Sequence, residues 1–131
     1  MDKEWNLLLE KAKKNLSNQE TTSFINTGNY SCALMTDKGN VYTGTNIYST
    51  TIRLSAEQSA ITAMLNNGEK RITRLLVINE LEEIISPLVD TFLYLTELEL
   101  DLNNILTINK KKEIRMIELI PDYYGTFRIA R

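Results

Sequence analysis

Ser55-Ala56-Glu57-Gln58 and, some thirty residues later, Ser86-Pro87-Leu88-Val89-Asp90-Thr91 decide how this chain is read. Both have the chemistry of a helix start. Ser55-x-x-Gln58 is a capping-box pattern, in which the serine hydroxyl accepts from the N–H three residues on and the glutamine reaches back to the serine N–H. Ser86 is a good N-cap, and Pro87 suits the first helical position, where its missing N–H costs little. Glu57 falls in the first turn of its helix, where the helix dipole favours a carboxylate.

The rest of the chain supplies a sheet for these helices. Residues 55–65 place Ala56, Ala60, Ala63 and Met64 on one face, and such small residues predict close approach to a sheet. Asn66-Asn67-Gly68 stops that helix, since glycine takes the left-handed cap conformation cheaply. Residues 71–78 follow as a strand, and the unbroken run Leu75-Leu76-Val77-Ile78 fits a strand covered on both faces. Upstream, residues 30–35 and 41–44 read as a hairpin closed by Asp37-Lys38-Gly39-Asn40. Residues 20–29 read as a loop, and residues 45–54 as a Ser/Thr-rich one. Residues 3–17 form an amphipathic helix with Trp5, Leu8, Leu9, Ala12 and Leu16 at helical spacing. Downstream, residues 86–98 form a third helix with Leu88, Phe92, Leu95 and Glu99 on one face. Residues 105–108 make a strand, Lys110-Lys111-Lys112 a charged turn and residues 114–116 a short fifth strand. Tyr123, Tyr124 and Phe127 in the tail could close a pocket or pack at a subunit contact. Helices on both faces of a central sheet predict a three-layer α/β/α domain over 1–131.

Composition narrows the chemistry. The chain has 131 residues, 43% of them hydrophobic and 24% charged, enough for a real core. A net charge of −2 gives no electrostatic case for nucleic acid or an anionic membrane as partner. No apolar stretch approaches membrane-spanning length, and the acidic start Met1-Asp2-Lys3-Glu4 does not read as a signal peptide. A single cysteine, Cys32, excludes an intramolecular disulfide framework, and on a buried strand it reads as a small apolar residue. The simplest expectation is a cytoplasmic protein. The absence of histidine is the sharper fact. A chain with no His and one Cys cannot build a His/Cys zinc site within one subunit, nor a Ser-His or Cys-His pair. Any acid–base chemistry falls to carboxylates, Lys or Tyr.

Over nearly its whole length the sequence resembles the cytidine deaminase family. Residues 32–47, with Gly44-Thr45-Asn46 at their end, resemble that family's opening hairpin and its Gly-x-Asn. Ser55-Ala56-Glu57-Gln58-Ser59-Ala60-Ile61 resembles its Cys-Ala-Glu-Arg-x-Ala-Ile helix, and Ile117-Glu118-Leu119-Ile120-Pro121 its Glu-Leu-Leu-Pro. The blasticidin S deaminase branch is the most similar, because Asn46-Ile47-Tyr48 matches its Asn-Val-Tyr and Ser55 follows Asn46 at that branch's distance of nine residues. The resemblance implies a mixed five-stranded sheet flanked by helices and a homotetramer with pockets near subunit contacts. It implies a pyrimidine nucleoside-like ligand, and a zinc-activated water served by a proton-shuttling glutamate. Carried over by position, Glu57 matches that glutamate, while Asn46 and Tyr48 match substrate-contacting residues. Ser55, Leu88 and Thr91 match the three metal ligands. Serine and threonine hydroxyls are poor zinc ligands and Leu88 has no donor atom, so the expectation is no zinc at these positions.

Each of these residues also has a plain structural role. Ser55 reads as a cap, Leu88 and Thr91 as core and helix-start residues filling the volume of the metal, and Asp90 as a solvated position that could join Glu57 around a hard cation. Two functions are consistent with the whole. One is a deaminase homologue without its zinc site, acting as a nucleoside-like ligand-binding or assembly protein. The other is a working cytidine or blasticidin S deaminase-type hydrolase that uses Glu57 in an atypical site.

Overall fold

The computed structural model describes residues 2–16 and 19–120. The helix read over 3–17 ends at Asn15, with Leu16 as its C-cap, and the aromatic tail with Tyr123, Tyr124 and Phe127 lies outside the described residues. The central run of the sheet is β3 (Val41–Tyr48), β2 (Asn26–Thr36), β5 (Ile72–Ile78), β7 (Leu106–Asn109) and β8 (Lys112–Arg115). The sheet is mixed, because β5 and β7 run parallel and the other pairs antiparallel. These stand where the five strands were expected, but β2 begins at Asn26 and β3 runs on to Tyr48, inside the segments read as loops. Three two-residue strands add to them: β1 (Gln19–Glu20) on β2, β4 (Arg53–Leu54) on β3 and β6 (Ile84–Ile85) on β5. The segments expected as loops on either side of the hairpin therefore carry short ladders.

Alternation along the two innermost strands produces the layers. Cys32 and Leu34 of β2, with Leu75 and Val77 of β5, face one side and pack with α2 (Ala56–Asn66) and α3 (Val89–Glu97). Ala33, Met35, Leu76 and Ile78 face the other side and pack with α1 (Lys3–Asn15) through Trp5, Leu8 and Ala12. Asp2 caps α1 by accepting from the Trp5 N–H at 3.0 Å, and the Trp5 Nε1–H donates to Glu113 Oε1 at 2.8 Å, tying α1 to β8.

Gly44 fixes how close α2 lies to the sheet. A Cβ built on Gly44 would stand 2.3 Å from the Ala60 backbone N and 2.7 Å from the Ser59 carbonyl carbon. Real side chains do not approach that closely, so a hydrogen at position 44 is a condition of this packing. Ala60 and Met64 are fully buried there. At the other end of α2, Glu69 accepts from Asn40 Nδ2 at 2.8 Å and from the Tyr42 hydroxyl at 2.5 Å, which anchors the hairpin turn to the helix end. Hydrogen bonding from Thr36, Tyr42 and Asn40 holds the Glu69 carboxyl below its ordinary value, and the same bond pushes the Tyr42 phenol up.

The third helix departs from expectation. It begins with Leu88 as N-cap, not with Ser86, and Pro87 lies outside it. Leu88 offers no side-chain cap, and its side chain is 54% exposed instead of filling core volume. Thr91 is buried. The Ile117-Glu118-Leu119-Ile120 motif falls in a 3-10 helix, Met116–Leu119, with Ile120 as its C-cap.

Gly44→Ala is expected to destabilise the fold by roughly 1–3 kcal/mol or more, the range for overpacking against rigid backbone, read as a lowered urea midpoint. A carboxyl whose folded pKa is lowered stabilises the fold above its unfolded value and loses that contribution as pH falls through the folded one. Glu69→Gln should therefore flatten the loss of stability below about pH 4.5, measured as urea midpoints against pH. Equal slopes in the two proteins would contradict that role.

Candidate functional site

The site lies where the first turn of α2 meets the start of α3 at the edge of β3. A pocket of about 220 Å³ opens there, lined by Tyr30, Tyr48, Ser55, Ala56, Glu57, Val77, Ile85, Ser86 and Leu88. The walls are apolar and aromatic, and the polar groups are the Ser55 and Ser86 hydroxyls and the Glu57 carboxylate.

Ser55 is the N-cap of α2 in a complete capping box. Its Oγ accepts from the Gln58 N–H at 3.1 Å, and Gln58 Oε1 accepts from the Ser55 N–H at 2.9 Å. The box sets the direction of the first turn, and Glu57 follows with its side chain aimed across to α3. Glu57 is only 2% exposed. Its Oε2 accepts from the Leu88 backbone N–H at 2.9 Å and from the Thr91 hydroxyl at 2.8 Å. One oxygen thus joins the two helix starts. Cys32 lies buried on β2, and its thiol is pushed well above the ordinary value, first by burial and then by the Glu57 charge. That environment suits a packed thiol and not a nucleophile.

Asn46 is fully buried. Its Oδ1 accepts from the backbone N–H groups of Asn29 and Tyr30, both at 2.8 Å, and its Nδ2 donates to Asn29 Oδ1 at 3.0 Å. These bonds hold the irregular part of β2, where the register shifts between Thr27 and Ser31 and Gly28 has φ 79°. Through them Asn46 sets where Tyr30 stands in the pocket wall. Tyr48 pairs with Arg53 across β3 and β4, and the Arg53 guanidinium lies 4.1 Å from the ring centre. That contact steadies the ring.

Among the sequence candidates, the fold brings Tyr48, Ser55, Glu57 and Leu88 into one pocket wall, places Thr91 behind Glu57, and keeps Asn46 beneath. Asp90 is exposed and lines a separate groove of about 350 Å³ between α2 and α3, so it does not join Glu57 around a cation. Tyr30, Val77, Ile85 and Ser86 were not anticipated as wall residues. Tyr30 carried one faint signal, an aromatic opening a strand, and Ser86 is used by the pocket instead of as a cap.

The donor set does not fit zinc. The Ser55 hydroxyl is engaged by the Gln58 N–H, Leu88 presents no donor, and the Thr91 hydroxyl gives its proton to Glu57. Among the described residues no group of three or more His, Cys, Asp or Glu is placed to hold a metal ion.

No family model and no curated protein matches the chain. Solved structures do match. Cytidine deaminase from Mycobacterium tuberculosis superposes with a TM-score of 0.74 at 22% identity, over 92% of this chain and 97% of that one. The Mycobacterium leprae cytidine deaminase gives 0.73 at 21%, over 92% and 99%. The Burkholderia pseudomallei enzyme gives 0.66 at 20%, over 93% and 98%. At such identities the likeness concerns architecture: the chain adopts the cytidine deaminase fold, as its hairpin and helix motifs led us to expect.

Proposed function

We propose that the protein binds a pyrimidine nucleoside-like small molecule in the Tyr30/Tyr48/Glu57 pocket without hydrolysing it through zinc. The observation that carries this reading is the combination at the α2 and α3 starts. The described residues form a pocket with apolar and aromatic walls and a few polar groups, yet the three positions that would ligate a metal are a cap hydroxyl, a leucine and a threonine that donates to Glu57. A pocket of mainly apolar wall with a few fixed polar groups is the usual form of a small-molecule site. Tyr48, steadied by Arg53, offers a face for a flat ring, and the Ser55 and Ser86 hydroxyls and Glu57 offer hydrogen-bond partners to its edge. Asn46 acts on the ligand through Tyr30.

Hydrolytic deamination needs a water made nucleophilic at neutral pH, which in metal-dependent chemistry is the metal's contribution. Here Glu57 has one oxygen engaged by two protein donors, and among the described residues no cation or imidazole lines the pocket wall to polarise a water beside it. The residues therefore support binding. The similar solved structures are named cytidine deaminases, which favours a nucleoside among small molecules. The match of Asn46-Ile47-Tyr48 and the short run to Ser55 favours the blasticidin S deaminase branch within that fold. We further propose that the chain self-associates, in a homotetramer by that likeness. Support comes from Leu88, Val89 and Leu93, which stand 54%, 45% and 44% exposed along α3.

Isothermal titration with cytidine, uridine and blasticidin S, paired with an ammonia-release assay on the same samples, tests the proposal. Saturable binding without ammonia release is expected, weakened roughly tenfold by Tyr48→Ala, the scale of one aromatic contact. Ammonia release that disappears in Glu57→Gln would establish the hydrolase instead. Failure of all three compounds to bind would remove the nucleoside-like ligand.

A further inference from the structure

We propose that the Glu57 carboxylate is the start signal of α3, a capping acceptor supplied from a different helix, and that it does the joining of the two helix starts that side chains at 55, 88 and 91 cannot do through a metal. This goes beyond the binding reading and holds whether or not the pocket takes a nucleoside.

A helix leaves its first N–H groups without intrahelical partners, and the N-cap side chain normally takes one of them. In α3 the N-cap is Leu88, which makes no side-chain cap bond. Serine is available two residues earlier, yet the helix does not begin there. The Leu88 N–H, the donor that an N3 side chain takes in a capping box, goes to Glu57 Oε2 at 2.9 Å, and the same oxygen takes the Thr91 hydroxyl at 2.8 Å. Residue 91 is the third residue inside the helix, so the carboxylate holds the N-cap N–H and a side chain one turn on, while the Thr91 N–H itself goes to the Leu88 carbonyl at 2.9 Å. A negative charge at that place also meets the positive end of the helix dipole.

The need for such an anchor follows from length. α3 has 9 residues, too few for a helix to be stable on propensity alone. Its buried face, Phe92 and Leu95, fixes it to the core but not where it begins. Glu57 can fix that point because it is buried and its own helix is held in place. It stands in the first turn of α2, behind the Ser55/Gln58 box, on a helix pressed onto Gly44. Position is therefore passed from the β3 backbone to α2, from α2 to Glu57 Oε2, and from there to Leu88 and Ser86 in the pocket wall. No other donor among the described residues reaches Glu57, so its second oxygen is left to the pocket it lines.

Amide hydrogen exchange and amide proton shifts by NMR, on the wild type and on Glu57→Gln, Glu57→Ala and Thr91→Val, test this. A charged hydrogen bond shifts the Leu88 amide proton strongly downfield, and Glu57→Ala should abolish that shift. It should also lower protection of the first-turn amides of α3 on the order of tenfold or more, the scale of a hydrogen bond to a charged group. The amides of β2 and β5 should keep theirs. Glu57→Gln keeps a carbonyl that can accept the same two donors, so it should restore much of the protection. Should Glu57→Ala fail to fold, Thr91→Val removes one donor alone and should lower α3 first-turn protection severalfold. Loss spread evenly over the domain, an unchanged Leu88 amide in Glu57→Ala, Gln no better than Ala, or an unaffected α3 in Thr91→Val would each overturn the proposal.

Discussion

A single carboxylate oxygen, Glu57 Oε2, receives both the Leu88 N–H and the Thr91 hydroxyl, and the site is arranged around that contact. A buried charge is costly unless it is hydrogen-bonded, and here both donors come from the element it must hold in place. The contact explains why α3 starts where it does, why Thr91 is buried while Leu88 turns outward, and why the pocket has a fixed wall. It depends in turn on Gly44. Without backbone contact between β3 and α2, the first turn of α2 would stand further from the sheet and Glu57 would not reach α3.

The fold of the cytidine deaminases survives here with a donor set that does not suit zinc. The sheet and the two layers of helices rest on alternating apolar residues of β2 and β5 and on small residues of α2, none of which belongs to a metal site. The helix starts need something between them, but that need can be met by a metal or by a carboxylate already in place. The residues that build the architecture are thus separate from those that line the pocket.

Much of this was legible in the sequence because the signals were local. The capping box at Ser55 and Gln58, the stop at Gly68, the turn at Gly39 and the two-faced run Leu75 to Ile78 all appear where their residues predict. The start of α3 was misread because its cap is not local. Ser86-Pro87 has the form of a helix start, but the group that satisfies the first turn lies 31 residues away from Leu88. The same holds for Asn46, whose matching position predicts ligand contact and whose amide is taken by Asn29 and Tyr30 across a bulge. Tyr30 could be placed in the pocket only once that bulge was known. Residues bound to distant backbone carry no periodicity, and pattern reading passes over them.

The most direct test of the central claim, that a carboxylate and not a metal joins the two helix starts, is the zinc content of untagged protein expressed with zinc supplied, measured by elemental mass spectrometry. The account predicts no stoichiometric zinc, in protein that is folded and unaffected by a chelator. Near one zinc per chain would contradict it, and would mean that Glu57 does not hold α3 alone.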